Sequence, residues 1–179
     1  MEYFGLGMPV SRLPISGIIP SRGNPSTATL NLSSEIDSLE LLLSRFNNKS
    51  DDGHAREIVL PEGVDTSNPI TVKVDWVPLT ANTGDVEISL TILADITPGT
   101  NVNAGTLTPV SGDYSVITTV SGESGILKRN EYTVPIPNSL AGDTILIEIA
   151  RDATNGNTND TLNGNIAIFD TVVNAVVYH

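Results

Sequence analysis

Among 179 residues, the densest set of side chains able to hold a ligand runs from Arg151 to Thr161. Asp152, Asn155, Asn157 and Asp160 supply hard oxygen donors of the kind Ca²⁺ takes, although their order is not that of an EF-hand loop. The same residue types close hydrogen-bonded Asx turns without a metal, and an Asx-rich turn is the stronger expectation here. Arg151, which ends an apolar run, is expected to pair with one of these carboxylates and fix the loop.

Catalysis has less to work with. The two histidines are His54, in a polar segment and expected at the surface, and the terminal His179. Neither stands at a metal-ligand spacing, and there is no cysteine to complete a site or act as a nucleophile. No Gly-x-Ser-x-Gly elbow presents a serine. The carboxylates are scattered, with no local pattern that selects an acid/base pair. No phosphate-binding glycine loop opens a helix. The sequence therefore predicts a protein that is not an enzyme, with no catalytic, cofactor or metal residues. Trp76 ends a strand-like run on its apolar face, and with aromatic residues at 4% it reads as core rather than as a sugar-stacking platform.

A formal net charge of −12 argues against a broad grip on nucleic-acid phosphates. No apolar run approaches the ~20 residues that span a bilayer, and the start lacks a signal-peptide pattern, so neither membrane nor processing is expected. The charge is uneven. Residues 1–30 carry Arg12 and Arg22 against Glu2, whereas residues 57–179 carry four basic and fifteen acidic side chains. A near-neutral arm on an acidic body suggests two environments.

The elements that would position these groups divide near residue 54. Residues 1–53 read as an extended N-terminal arm: Pro9, Pro14, Pro20 and Pro25 interleave with glycines, which excludes a regular helix or a central strand. Its apolar residues Met8, Val10, Leu13, Ile15, Ile18 and Ile19 are the candidate partner-binding set, because they leave apolar area that needs a surface. Ser33 to Phe46 predicts one short helix, with Ile36, Leu39, Leu43 and Phe46 on one face; Leu39, Leu41 and Leu43 also alternate as a strand would. From residue 54 to 179 the pattern is β. Ile70, Val72, Val74 and Trp76 share one face, and Val86, Ile88, Leu90 and Ile92 another, with turn clusters such as Ala81 to Gly84 and Ala141 to Asp143 between runs. Short strands, regular turns and no helical stretches specify an all-β, antiparallel β-sandwich of jelly-roll type.

The succession Leu60-Pro-Glu-Gly63, Ile70 to Trp76, Gly84 to Ile88, Ala141 to Asp152, Asp160 to Leu162 and a closing strand ending in Val177 and Tyr178 resembles the β-sandwich domain of tailed-phage virion structural proteins. That resemblance implies a capsid cement or decoration protein, or a fibre segment, usually a homotrimer. The arm would bind the major capsid protein or another virion protein, placing the protein on the capsid surface without cofactor, nucleic acid or membrane. Two rivals accompany it: a tail or head fibre recognising a host glycan through loops 96–113 or 152–161, and a carbohydrate-binding module.

Overall fold

A computed structural model describes residues 10–12, 18–22, 26–31, 40–96, 99–100, 109–136 and 139–177. Eleven strands occupy them: β1 (Val10–Arg12), β2 (Ile18–Arg22), β3 (Ser26–Asn31), β4 (Glu40–Phe46), β5 (Asp51–Val59), β6 (Ile70–Pro78), β7 (Thr83–Ile96), β8 (Ser115–Ser121), β9 (Lys128–Val134), β10 (Thr144–Asp152) and β11 (Ile166–Val176). They form two sheets in which every pairing is antiparallel. One runs β3-β4-β11-β6-β9 with β1 beside the end of β11, and the other runs β2-β5-β10-β7-β8. From β4 onward the backbone passes from one sheet to the other at nearly every connection, which is the jelly-roll habit.

The period-two residues do what alternation requires. Ile70, Val72, Val74 and Trp76 meet Val86, Ile88, Leu90 and Ile92 across the sandwich, joined by Ile145, Ile147 and Ile149. Each such side chain, fully buried, is worth roughly 1.5–3 kcal/mol of transfer free energy. The core also holds a polar knot. Asn130 accepts from Trp76 Nε1 at 3.3 Å and from Thr118 Oγ1 at 2.7 Å, while the Tyr132 hydroxyl donates to Ile88 O at 2.8 Å. Burial drives the Tyr132 phenol well above its usual range, so it stays a donor.

The helix expected over Ser33 to Phe46 is corrected. Residues 40–46 are β4, paired with β3 on one side and with Ile166, Ala167 and Ile168 of β11 on the other; 33–39 lie outside the described residues. The alternation of Leu41 and Leu43 prevailed because two strands bracket this segment, so tertiary pairing overrides a helical period about three turns long. The expected division at residue 54 falls inside β5, and three strands begin within residues 1–30. All three are peripheral, and Pro20 sits in the edge strand β2, where a missing N–H is tolerated. The last strand is continuous, with a register shift between Ile168 and Asp170 that turns Phe169 outward.

Candidate functional site

Among the described residues, a cleft of about 700 Å³ is shaped to receive a ligand at the end of the sandwich where β9 stops and β6 starts. Its walls are Thr66, Ser67, Asn68 and Pro69 on one side and Thr133, Pro135, Ile136, Ser139 and Leu140 on the other.

Each wall is a turn held by a buried aspartate. Asp65 accepts from Ser67 N at 3.1 Å, from Ser67 Oγ at 2.6 Å and from Asn68 Nδ2, while its own N–H reaches Val176 O at 2.8 Å. Opposite, Leu140 N donates to Asp143 Oδ2 at 2.6 Å, Asp143 N to Leu140 O at 3.1 Å, and Leu60 N to Asp143 O at 2.8 Å. Gly142, at φ 89°, makes the left-handed step of that turn and donates to Leu60 O at 2.7 Å. Both carboxylates are buried and accept from the wall residues themselves, and neither is part of the lining. Ile136 forms a buried floor, and Leu140, 65% exposed, stands on the rim. The result is preorganised: hydroxyl and amide groups of Thr66, Ser67, Asn68, Thr133 and Ser139 alternate with proline and aliphatic surface of Pro69, Pro135, Ile136 and Leu140, and among the described residues no charged side chain is in the lining.

The 151–161 run is put together differently from a metal loop. Asp160 grips Arg151 as a fork, with Nε to Oδ2 and Nη2 to Oδ1 both at 2.8 Å. The expected pairing of Arg151 with a loop carboxylate is present. Asp152 accepts from Thr154 N and Oγ1. Asn157 Nδ2 donates to Glu87 at 2.8 Å, Ser115 Oγ to the same carboxylate at 2.6 Å, and these bonds, led by that of Ser115, hold the Glu87 carboxyl below the usual carboxylate range. Asp152, Asn157 and Asp160 thus serve separate partners, and among the described residues no group of three or more His, Asp or Glu could hold a metal. Of loop 96–113, residues 97–98 and 101–108 are outside the described residues.

His54 is a correction. Expected at the surface, it is fully buried, edge-on to Phe46 with ring centroids 5.3 Å apart. β5 lies between β2 and β10, so its inward side chains are covered whatever their polarity. Trp76 is core, as its strand position implied. Of the candidate partner-binding residues, Val10 lies in β1 and Ile18 and Ile19 in β2, whereas Met8, Leu13 and Ile15 are outside the described residues. Sequence reasoning passed over the cleft. Its one local signal was Asp65-Thr-Ser-Asn-Pro69, an Asx-turn composition whose opposite wall arrives from about 70 residues further along the sequence.

No protein-family model matches the protein, and no curated protein matches it. Solved structures with a similar fold exist. An arabinose-bound α-L-arabinofuranosidase, MgGH51, superposes with a TM-score of 0.50 at 14% identity, over 93% of this protein and 25% of that one. The CBM22-1 xylan-binding domain of Paenibacillus barcinonensis Xyn10C gives 0.49 at 9%, over 95% and 97%. The enzymatically active domain of bacteriophage CBA120 tailspike protein 4 gives 0.48 at 11%, over 89% of this protein and 19% of the tailspike, so the matched part spans about a fifth of that structure. The likeness is one of fold alone.

Proposed function

We propose that this protein is a non-catalytic binding module whose cleft between residues 66–69 and residues 133, 135–136 and 139–140 takes a neutral carbohydrate. The observation that carries the reading is the absence of charge from the described cleft lining, in a protein with 9 basic and 21 acidic residues. A phosphate, a carboxylate or a polyamine would find no counter-charge among those lining residues. A sugar, with hydroxyls on its edges and apolar C–H faces, matches a lining that mixes the hydroxyl and amide groups of Thr66, Ser67 and Asn68 with the apolar surface of Pro135, Ile136 and Leu140. Walls fixed before binding spare the ligand the cost of ordering them.

Titration calorimetry against neutral oligosaccharides, including xylan and β-1,4-galactan fragments, is the test. Binding is expected, and Leu140→Asp is expected to weaken it tenfold or more, about 1.4 kcal/mol. Because Leu140 is largely exposed, the variant should melt with the parent protein. The reading fails if no neutral saccharide binds, or if Leu140→Asp binds equally well.

Attachment to a capsid protein through the N-terminal segment is the second reading. It is favoured by the position of β2 and β3 at the edges of the two sheets, where a partner's strand or loop can reach them. Deleting residues 1–30 would remove β1, β2 and most of β3, and so confound attachment with folding. Ile18→Asp and Ile19→Asp separate the two: loss of co-sedimentation with capsids at unchanged melting temperature supports attachment, and full occupancy opposes it.

A further inference from the structure

The sequence contains two Asn-Gly pairs, Asn155-Gly156 and Asn163-Gly164, eight residues apart. Asn-Gly is chemically labile because glycine offers no side chain to impede attack by its backbone nitrogen on the preceding carboxamide. The fold gives the two pairs opposite surroundings.

Asn157 N donates to Thr154 O at 3.0 Å, which places Asn155 and Gly156 at the two central positions of a four-residue turn. The N–H groups of central residues take no part in that closing bond. Both residues are exposed, and a Cβ built on Gly156 would meet nothing within 4 Å. The side chains on either side are tied down: Asp152 to Thr154, and Asn157 to Glu87 and to Asp152 O at 2.7 Å. The turn's base is held while its tip stands in water.

Asn163-Gly164 is clamped. Gly164 is buried, its N–H donates to Leu162 O at 2.8 Å, and its carbonyl accepts from Arg151 Nη1 at 2.7 Å. A Cβ there would collide with Thr80 Oγ1. Asn163 Oδ1 accepts from Asn48 Nδ2 at 2.7 Å, and its carbonyl accepts from Asn82 Nδ2. Cyclisation would have to break several of these bonds at once.

We propose that Asn155 is a spontaneous deamidation site and that the fold holds the same chemistry inert at Asn163. The Gly156 nitrogen attacks Asn155 Cγ, the Cγ–Nδ2 bond breaks, and ammonia leaves with the proton from Gly156. Water then opens the succinimide at either carbonyl, giving aspartate or isoaspartate. Both products add one negative charge near Asp152. Isoaspartate also inserts a methylene into the main chain and removes the geometry that closes Thr154 onto Asn157. The register Thr144 to Val59 and Asp152 to Asp51 puts this loop at the end of the sandwich opposite the cleft, so the change is remote from ligand binding.

Peptide mapping by mass spectrometry over a time course under mildly alkaline conditions tests this on the intact protein, the urea-unfolded protein and Gly156→Ala. In the native protein Asn155 is expected to convert several-fold faster than Asn163. In urea the two should convert at similar rates. Gly156→Ala, which the open space accommodates, should suppress conversion at Asn155 with an unchanged melting temperature. Equal rates at both sites in the native protein would overturn the proposal, as would an Asn155 that converts only when unfolded.

Discussion

Arg151→Met is expected to lower the stability of the sandwich by about 3–5 kcal/mol, the usual penalty for breaking a buried ion pair by removing one partner. Arg151 is fully buried and its guanidinium is engaged on every side: the fork to Asp160, Nη2 to Leu162 O at 3.0 Å, and Nη1 to Gly164 O at 2.7 Å and Asn47 O at 3.5 Å. One side chain therefore joins the end of β10, the 160–164 segment and the link between β4 and β5. Methionine fills much of the volume but leaves the buried Asp160 carboxylate without its cation and takes a donor from three carbonyls, of which Leu162 O keeps the Gly164 N–H. Asp160→Asn should cost a comparable amount, since it leaves the cation buried. The double variant should cost clearly less than the sum, because the uncompensated charge is the larger part of each single loss. Urea denaturation of the four proteins measures this, and additive losses would show that the fork contributes little beyond packing.

Acidification is expected to expose the second large effect, at His54. Burial, reinforced by the nearby Arg56 charge, lowers the His54 pKa from 6.5 to about 4. The unfolded protein takes up a proton at the ordinary value, whereas the folded protein resists until about pH 4. Stability is thus unaffected by His54 above its unfolded pKa, falls as pH drops through the window between the two values, and levels off below the folded one. A shift of this size corresponds to about 3 kcal/mol in total. His54→Leu should remove that slope. The carboxylates of Glu87 and Glu123, both held below their usual range, produce an acid loss of their own at lower pH in both proteins. Denaturation free energies measured between about pH 7 and about pH 4 distinguish the two; parallel curves would show that His54 titrates normally.

These residues also show which features were legible before the fold was known. Ile70, Val72, Val74 and Trp76 needed only a period of two, and every one is buried. Arg151 and its loop carboxylate were local enough to be paired by inspection. Ser33 to Phe46 was ambiguous because a run this short satisfies both periods, and only β3 and β11 decided for a strand over 40–46. His54 looked exposed because its sequence neighbours are polar, yet burial is decided by what lies across the sandwich.

Alternating hydrophobicity, turn chemistry and the lack of cysteine are short-range properties, and they were sufficient for an antiparallel sandwich with no disulfide framework. Strand order, the burial of His54 and the cleft are long-range. The two walls of the cleft come from residues 66–69 and from residues 133, 135–136 and 139–140, and each is set by its own aspartate against a different part of the protein. No short window along the sequence contains both. That the described lining is uncharged in so acidic a protein became visible only when folding brought those two turns together and buried their carboxylates.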